Sequence, residues 1–293
     1  MSEFQKIIKY AAMAFAMFLA IVIITAIVTG ITAGVMTLTN VTSKVSDRSS
    51  KNEESSGGDV VDFDKEFEGI VNLNIKNGVG ELSIVKGDSD KVRVTATDVS
   101  KDFNAAVISG NELKVSTKTD FWNIFNWGIK VHTKPRITVY LPEGFEARDT
   151  VIDAGAGNIR LEDLSSEKLD INAGVGYIKG NGIKTEELDI DGGVGEITLD
   201  DVAANTTDID AGVGSIYIQG TLSGRNTIDA GVGDIKLKLN GSTDDYNIKV
   251  NPGVGNIYID GNKYGKMSWN NKTAENSIDI DGGVGNISVD FNN

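Results

Sequence analysis

The chain has 293 residues, 40% hydrophobic and 24% charged, with 34 glycines against 3 prolines. It lacks cysteine and has one histidine, His132, which excludes disulfides, thiolate metal centres and His-cluster sites and argues against a Ser-His-Asp triad. Its net charge is −14, and residues 149–293 carry 24 acidic against 11 basic side chains, a surface that repels phosphate backbones and disfavours nucleic acid.

The first element is apolar. No charged residue falls between Tyr10 and Ser43, and residues 7–38 are dominated by Ala, Ile, Val, Met and Phe. A spanning helix needs about 20 such residues, whereas a cleaved secretory signal has an apolar core of only about 7–15. Residues 1–38 are therefore expected to be an N-terminal transmembrane anchor, with the lipid bilayer as partner through residues 7–38. Lys44, Arg48 and Lys51 after the span outnumber Lys6 and Lys9 before it, which by charge alone favours the opposite orientation. Long domains translocate largely regardless of flanking charge, so the reading is a single-pass membrane protein with its folded part outside the cytoplasm. Residues 39–62, rich in Ser, Asn, Lys, Glu and Gly, read as a flexible linker reaching roughly 25–30 Å.

Residues 63–149 read as an irregular β region that caps the N-terminal end of a repeat array, with strands predicted over 92–96, 113–117 and 137–141. Between them runs an aromatic cluster, Phe121, Trp122, Phe125 and Trp127. Such side chains suit contact with a headgroup region or a sugar ring, and equally an apolar plug.

From residue 150 onward a Gly-Val-Gly mark recurs. Its first glycine is Gly155 (Ala in place of Val), Gly174, Gly193, Gly212 and Gly231, each 19 residues apart, then Gly253 and Gly283, with a lone early copy at Gly78. A fixed period of this size signals stacked repeats that bury their apolar sides only against neighbours. Three positions before the mark stands Ile or Val in all seven later copies. One after it stands Val or Ala, and four after it always Ile. Six after it comes Leu, Ile or Val except at Gly180. Polar residues alternate with these, as in strands with one buried face. The predicted fold is all-β: a single-stranded β-helix with 19-residue rungs, about seven of them, spanning 150–293, with aliphatic ladders down its axis and turn glycines at the marks. The insertion 261–277 is expected to cap its C-terminal end.

The marks are not nucleotide loops, because no copy reads G-x-G-x-x-G and each leads into a strand. Nor are they calcium nonapeptides, whose Asp ligand position is Ile here. The electrostatic feature is a grid of carboxylates facing outward: Asp170, Asp189 and Asp208 in one column, Asp191, Asp210 and Asp229 in the next. Hard cations take six to eight oxygens, so a Ca²⁺ face is one reading. The other is that the second column shapes the glycine turn through Asx-type hydrogen bonds, a role Asn172 and Asn251 fill equally well. No other cofactor is implied. The acidic pairs Glu162-Asp163, Asp200-Asp201 and Asp244-Asp245 are candidates for polysaccharide chemistry by composition only.

The repeated Ile-Asp-x-Gly-x-Gly-x-Ile units, together with Ile137-Thr138-Val139-Tyr140-Leu141-Pro142, resemble the bacterial putative-adhesin family over about residues 70–290. The resemblance implies a cell-surface, β-rich, non-enzymatic protein, linked in some members to envelope stress, with no catalytic residues to carry over. The functional expectation is a binding or adhesion module, or an envelope scaffold, that contacts a cell-envelope polymer, glycan or surface protein. Self-assembly by end-to-end stacking of β-helices and a polysaccharide-active enzyme are the alternatives.

Overall fold

The computed structural model describes residues 60–117, 135–265, 267–269 and 273–292. The expected anchor, residues 39–59 of the expected linker, and the aromatic cluster Phe121, Trp122, Phe125 and Trp127 lie outside these residues. Among the described residues no helix is long and apolar enough to cross a membrane.

The described chain is a succession of strands: β1 (Val60–Phe67), β2 (Asn72–Val79), β3 (Glu81–Lys86), β4 (Val92–Ser100), β5 (Asn104–Ile108), β6 (Glu112–Ser116) and β7 (Arg136–Leu141). The repeats come next as β8 (Glu146–Ala156), β9 (Ile159–Glu162), β10 (Ser165–Val175), β11 (Ile178–Val194), β12 (Ile197–Val213), β13 (Ile216–Leu222), β14 (Arg225–Val232) and β15 (Ile235–Asn240). The chain closes with β16 (Tyr246–Val254), β17 (Ile257–Ile259), β18 (Asn262–Tyr264), β19 (Met267–Trp269), β20 (Asn276–Val284) and β21 (Ile287–Asn292). Strand β1 begins within the segment expected to be linker, which shortens that linker to before Val60.

Parallel pairing in register, with a one-residue shift between Leu199 and Val202 where β12 meets β13, stacks these strands into a solenoid. Ile171 pairs with Ile152 on one side and Ile190 on the other, and Ile190 with Ile209. Side chains three before, four after and six after the mark form continuous inward ladders. Ile152, Ile171, Ile190, Ile209 and Ile228 are fully buried, as are Leu161, Leu199, Ile218 and Leu237. Each contributes roughly 1.5–3 kcal/mol by leaving water. Within one coil the buried positions are Ile178 and Gly180, then Ile183 and Thr185, then Leu188 and Ile190. A step of two continues a strand, and a step of three flips its face, so each coil turns at 181–182 and 186–187 as well as at the mark. The coil has three sides. Gly180, the gap in the outermost apolar column, is filled from within its own coil: a Cβ there would lie 2.4 Å from Ile183 Cδ1.

Both glycines of the mark are required, for different reasons. At Gly195 φ is +153°, and a Cβ would fall 1.6 Å from the carbonyl oxygen of Gly176 on the neighbouring coil. Gly193 has no positive φ, but its Cβ would stand 2.2 Å from the carbonyl oxygen of Gly174. The first glycines Gly174, Gly193, Gly212, Gly231, Gly253 and Gly283 are thus sites of close coil-to-coil approach rather than of unusual dihedrals, and the second glycine makes the turn.

Three expectations are corrected. Among the described residues the stack has nine coils, because β2–β3 and β6–β7, expected within a cap, each form one. Its order is not sequential. At one end β2 lies between β6 and β8, and at the other β20 lies between β14 and β16. The first and last coils of the chain are therefore each second from an end. Finally, the valine of the mark is not a core ladder: Val175 is 46% exposed and Val254 69%. The mark is a corner, and its middle residue points outward.

Both ends are bordered by antiparallel strands. β4 pairs with β7, β1 with β4, and β5 with β6. At the far end β18 pairs with β17 and β19 with β16. The insertion does border the end of the stack, but on coil 246–259 rather than on the last coil in sequence.

Candidate functional site

Two outward surfaces carry chemistry, and both derive from the register. On the side of the coil preceding the mark, Asp170 pairs with Asp189 and Asp189 with Asp208. In the adjacent column Asp191 pairs with Asp210, Asp210 with Asp229 and Asp229 with Asp281. The insertion of the final coil lengthens this second column to four consecutive aspartates. Sequence order would have set Asn251 against Asp229.

The ends of the grid are neutralised. Lys76 Nζ lies 2.8 Å from Asp153 Oδ2, and Lys249 Nζ donates to Asp279 Oδ1 at 2.8 Å. Asn172 and Asn251 donate to Asp170 Oδ1 and Asp281 Oδ1 at 2.8 and 2.6 Å. The middle is not neutralised in this way. Partial burial and then neighbouring carboxylates hold Asp189, Asp210 and Asp229 above the ordinary aspartate pKa, with Lys168 opposing weakly at Asp189. Like charges about 5 Å apart cost roughly 0.8 kcal/mol per pair in water, and partial burial raises that.

Among the described residues no three carboxylates come together in a group that could hold a metal ion. The named aspartates line up in rows and do not converge. Nor does the second column shape the turn. Backbone bonds join the turns of successive coils, such as Gly176 N–H to Val194 O at 2.9 Å and Gly195 N–H to Val213 O at 2.8 Å. The side chains that join the turns come after the second glycine: Asp234 Oδ1 accepts from Asn286 N–H at 2.7 Å, and Asn286 Oδ1 from Asn256 N–H at 3.2 Å. These bonds run between neighbouring coils, so they are not the local Asx turns expected of the second column.

The acidic pairs are corners rather than acid–base pairs. Asp163 and Asp201 sit at φ 51° and 52°, in one column with Gly182, where a left-handed backbone is needed. Glu162 accepts from Arg160 Nε at 3.0 Å. Asp245 Oδ2 accepts from Ser242 N–H at 2.8 Å beside a single 3₁₀ turn.

The second surface is a shallow cleft of about 670 Å³ running along the corner at 186–187. Arg148, Glu167, Glu186 and Asn205 form one wall, each 19 residues from the last, and Asp149, Lys168, Glu187, Thr206 and Arg225 the other. Lys168 Nζ donates to Glu187 Oε1 at 2.7 Å, and Asn205 Nδ2 to Glu186 Oε2 at 3.3 Å. Arg148 and Arg225, at opposite ends and four coils apart, have no side-chain partner among the described residues. They stand about 19 Å apart at one coil per 4.8 Å. Sequence reasoning missed this cleft, although its signal was present as polar residues repeating at the same 19-residue interval.

The family described as Toastrack DUF4097 matches residues 70–282, most of the chain. The chain belongs to that family. The match begins at the coil of β2 and β3 and ends within β20, so the Toastrack domain comprises nearly the whole stack. Solved structures similar to it include a putative cell adhesion protein from Clostridium sporogenes at 16% identity, covering 80% of this chain and all of that one, with a TM-score of 0.36. A putative adhesin from Bacteroides fragilis is 15% identical, covering 79% and 97%, with a TM-score of 0.42. A putative lipid binding protein from Parabacteroides distasonis is 10% identical, covering 79% and 97%, with a TM-score of 0.32. No curated protein matches the sequence.

Proposed function

We propose that this Toastrack protein is a non-enzymatic binding module of the bacterial cell surface. It is tethered by the apolar segment 7–38, with the solenoid outside the cytoplasm, and it presents strand faces to an extended partner such as a wall polymer or glycan. The observation that supports this reading is the register itself. Outward side chains repeat at one coil per step across the cleft from Arg148 to Arg225, which suits a polymer lying along the stack. The free guanidinium groups at the two ends favour a chain bearing spaced anionic groups, and the acids between them favour hydroxyls.

End-to-end assembly is disfavoured by the antiparallel strands β18 and β19 on the outermost coil, because they occupy the parallel edge that stacking would use.

Binding of purified cell-wall polymers to the full chain in nanodiscs tests the reading. Weak, salt-sensitive binding that falls at least five-fold in the Arg148→Ala, Arg225→Ala double variant is expected. Unchanged binding in that variant would remove the cleft from the account. Protease treatment of intact cells tests topology: loss of the solenoid is expected, and full protection would place it inside.

A further inference from the structure

The valine of each mark points outward, and the fold does not require it. Val175, Val194, Val213, Val232, Val284 and Val254 stand in register on successive coils. Val175, Val194, Val232 and Val254 are 46, 36, 37 and 69% exposed, and Val213 and Val284 are half-buried between them. Ala156 continues the same row, so a smaller residue fits. Threonine would supply the same β-branched stiffness together with a hydroxyl for water. Six outward valines in one line instead make a continuous apolar ridge, and such ridges mark association surfaces.

The two flanks of the ridge differ in charge. Before the mark stand Asp153, Asp191, Asp210, Asp229 and Asp281. After it the outward strand column runs Arg160, Lys179, Thr198, Tyr217, Lys236, Ser288 and Tyr258. Between that column and the ridge lie the exposed Glu196 and Asp234, which accept from Thr198 Oγ1 and Asn286 N–H, while Arg160 is paired with Glu162. Lys179 and Lys236 have no ion-pair partner among the described residues. A ridge with one flank of aspartates and one of mixed charge that carries unpaired lysines avoids acid against acid in one arrangement only. A two-fold axis parallel to the stack lays ridge on ridge in the same direction and sets each aspartate flank against the other copy's lysine-bearing flank. A two-fold axis across the stack would oppose carboxylate to carboxylate.

We propose that the Gly-Val-Gly ridge is a homophilic interface that pairs two copies of this chain side by side and in parallel. A second copy is the occupant whose spacing matches every valine step of about 4.8 Å over about 24 Å. In register, Lys236 of one copy falls opposite Asp229 of its partner copy, and Lys179 falls between Asp153 and Asp191. The contact, ridge plus the first column on each side, buries on the order of 1,000 Å² in total, the size of a transient pair. Tethering copies to one surface raises their effective concentration and favours the pair. The proposal goes beyond the binding function above, uses the opposite side of the Asp-bearing strands from the cleft, and does not depend on that function.

Because the chain has no cysteine, single substitutions report the geometry directly. The full chain in membranes would be oxidised after Val175→Cys, Val194→Cys, Val213→Cys or Val232→Cys, with Lys184→Cys on another side of the coil as the background. Parallel pairing sets each position against itself, within reach of a disulfide. All four variants are expected to give covalent dimer at least ten-fold above Lys184→Cys. Adding Lys179→Glu and Lys236→Glu to Val213→Cys should lower that yield several-fold, with the circular dichroism spectrum unchanged. Dimer at one ridge position alone would overturn the parallel arrangement. Yields at all four positions no higher than at Lys184→Cys would overturn the interface.

Discussion

The middle of the stack and its two ends are built by different rules. From β8 to β14 the coils succeed one another in space as they do in sequence, so each new coil extends an edge left open by the last. At the ends the chain first lays down an outer coil and then fills the space beneath it, or lays down an inner coil and returns outside it. The outcome is the same at both: the first and last coils in sequence are enclosed on both faces, and the outermost coils are flanked by antiparallel strands. A solenoid that merely stopped would offer a parallel edge to the next molecule. This one encloses its own terminal coils.

That contrast can be broken most severely at the glycine column. Gly195→Ala places a Cβ at 1.6 Å from a backbone oxygen in the middle of the stack. A loss of at least about 3 kcal/mol is expected, read by urea denaturation. Gly144→Ala, with a positive φ but nothing within 4 Å, should cost only about 1 kcal/mol. Equal losses would mean that coil-to-coil approach is not what demands the mark.

Next in size are the inward isoleucines. Ile190 in the middle and Ile280 in the inserted coil are both fully buried, so each Ile→Ala change should cost about 3–4 kcal/mol. A loss below about 1 kcal/mol at Ile280 alone would show that the last coil is not enclosed.

The carboxylate grid predicts a smaller effect of opposite sign. The folded-state pKa values of Asp189, Asp210 and Asp229 are raised, so the folded chain holds those protons more tightly than the unfolded chain. Their ionisation therefore costs stability at neutral pH, and the cost is relieved as pH falls through the raised values. Asp210→Asn should stabilise the domain at pH 7 by a few tenths to about 1 kcal/mol, and the gain should vanish below about pH 4. A gain that persists at low pH would assign the effect to packing. Smallest of all is the response to millimolar Ca²⁺, where no shift in Tm is expected. A rise that disappears in Asp210→Asn would restore a cation to the grid.

Much of the architecture was legible because it is periodic. Buried ladders at Ile152 through Ile228 repeat every 19 residues, and a fixed interval in one dimension becomes a column in three. What periodicity cannot carry is order at the ends. The copies at Gly253 and Gly283 look like any others, and nothing in their spacing says that the second slides beneath the first. It also cannot tell an inward valine from a corner valine. Val194 shares a face with Ile190, four residues earlier, only if the strand runs straight into the mark, and the chain turns there, with Gly195 at positive φ. The cleft was missed for a related reason: Arg148, Glu167, Glu186 and Asn205 share a period but not a chemistry.

The claim on which the columns, the enclosed ends and the four-aspartate row all depend is the position of the final coil between the fifth and sixth marks. Two double-cysteine variants test it in this cysteine-free chain. Asp229→Cys with Asp281→Cys should form an intramolecular disulfide on mild oxidation, since adjacent parallel strands hold paired Cα atoms about 4.8 Å apart, while Asp229→Cys with Asn251→Cys, separated by an intervening strand, should not. The reverse result, bridging to residue 251 and none to 281, would mean that the coils stack in sequence order and would contradict the account.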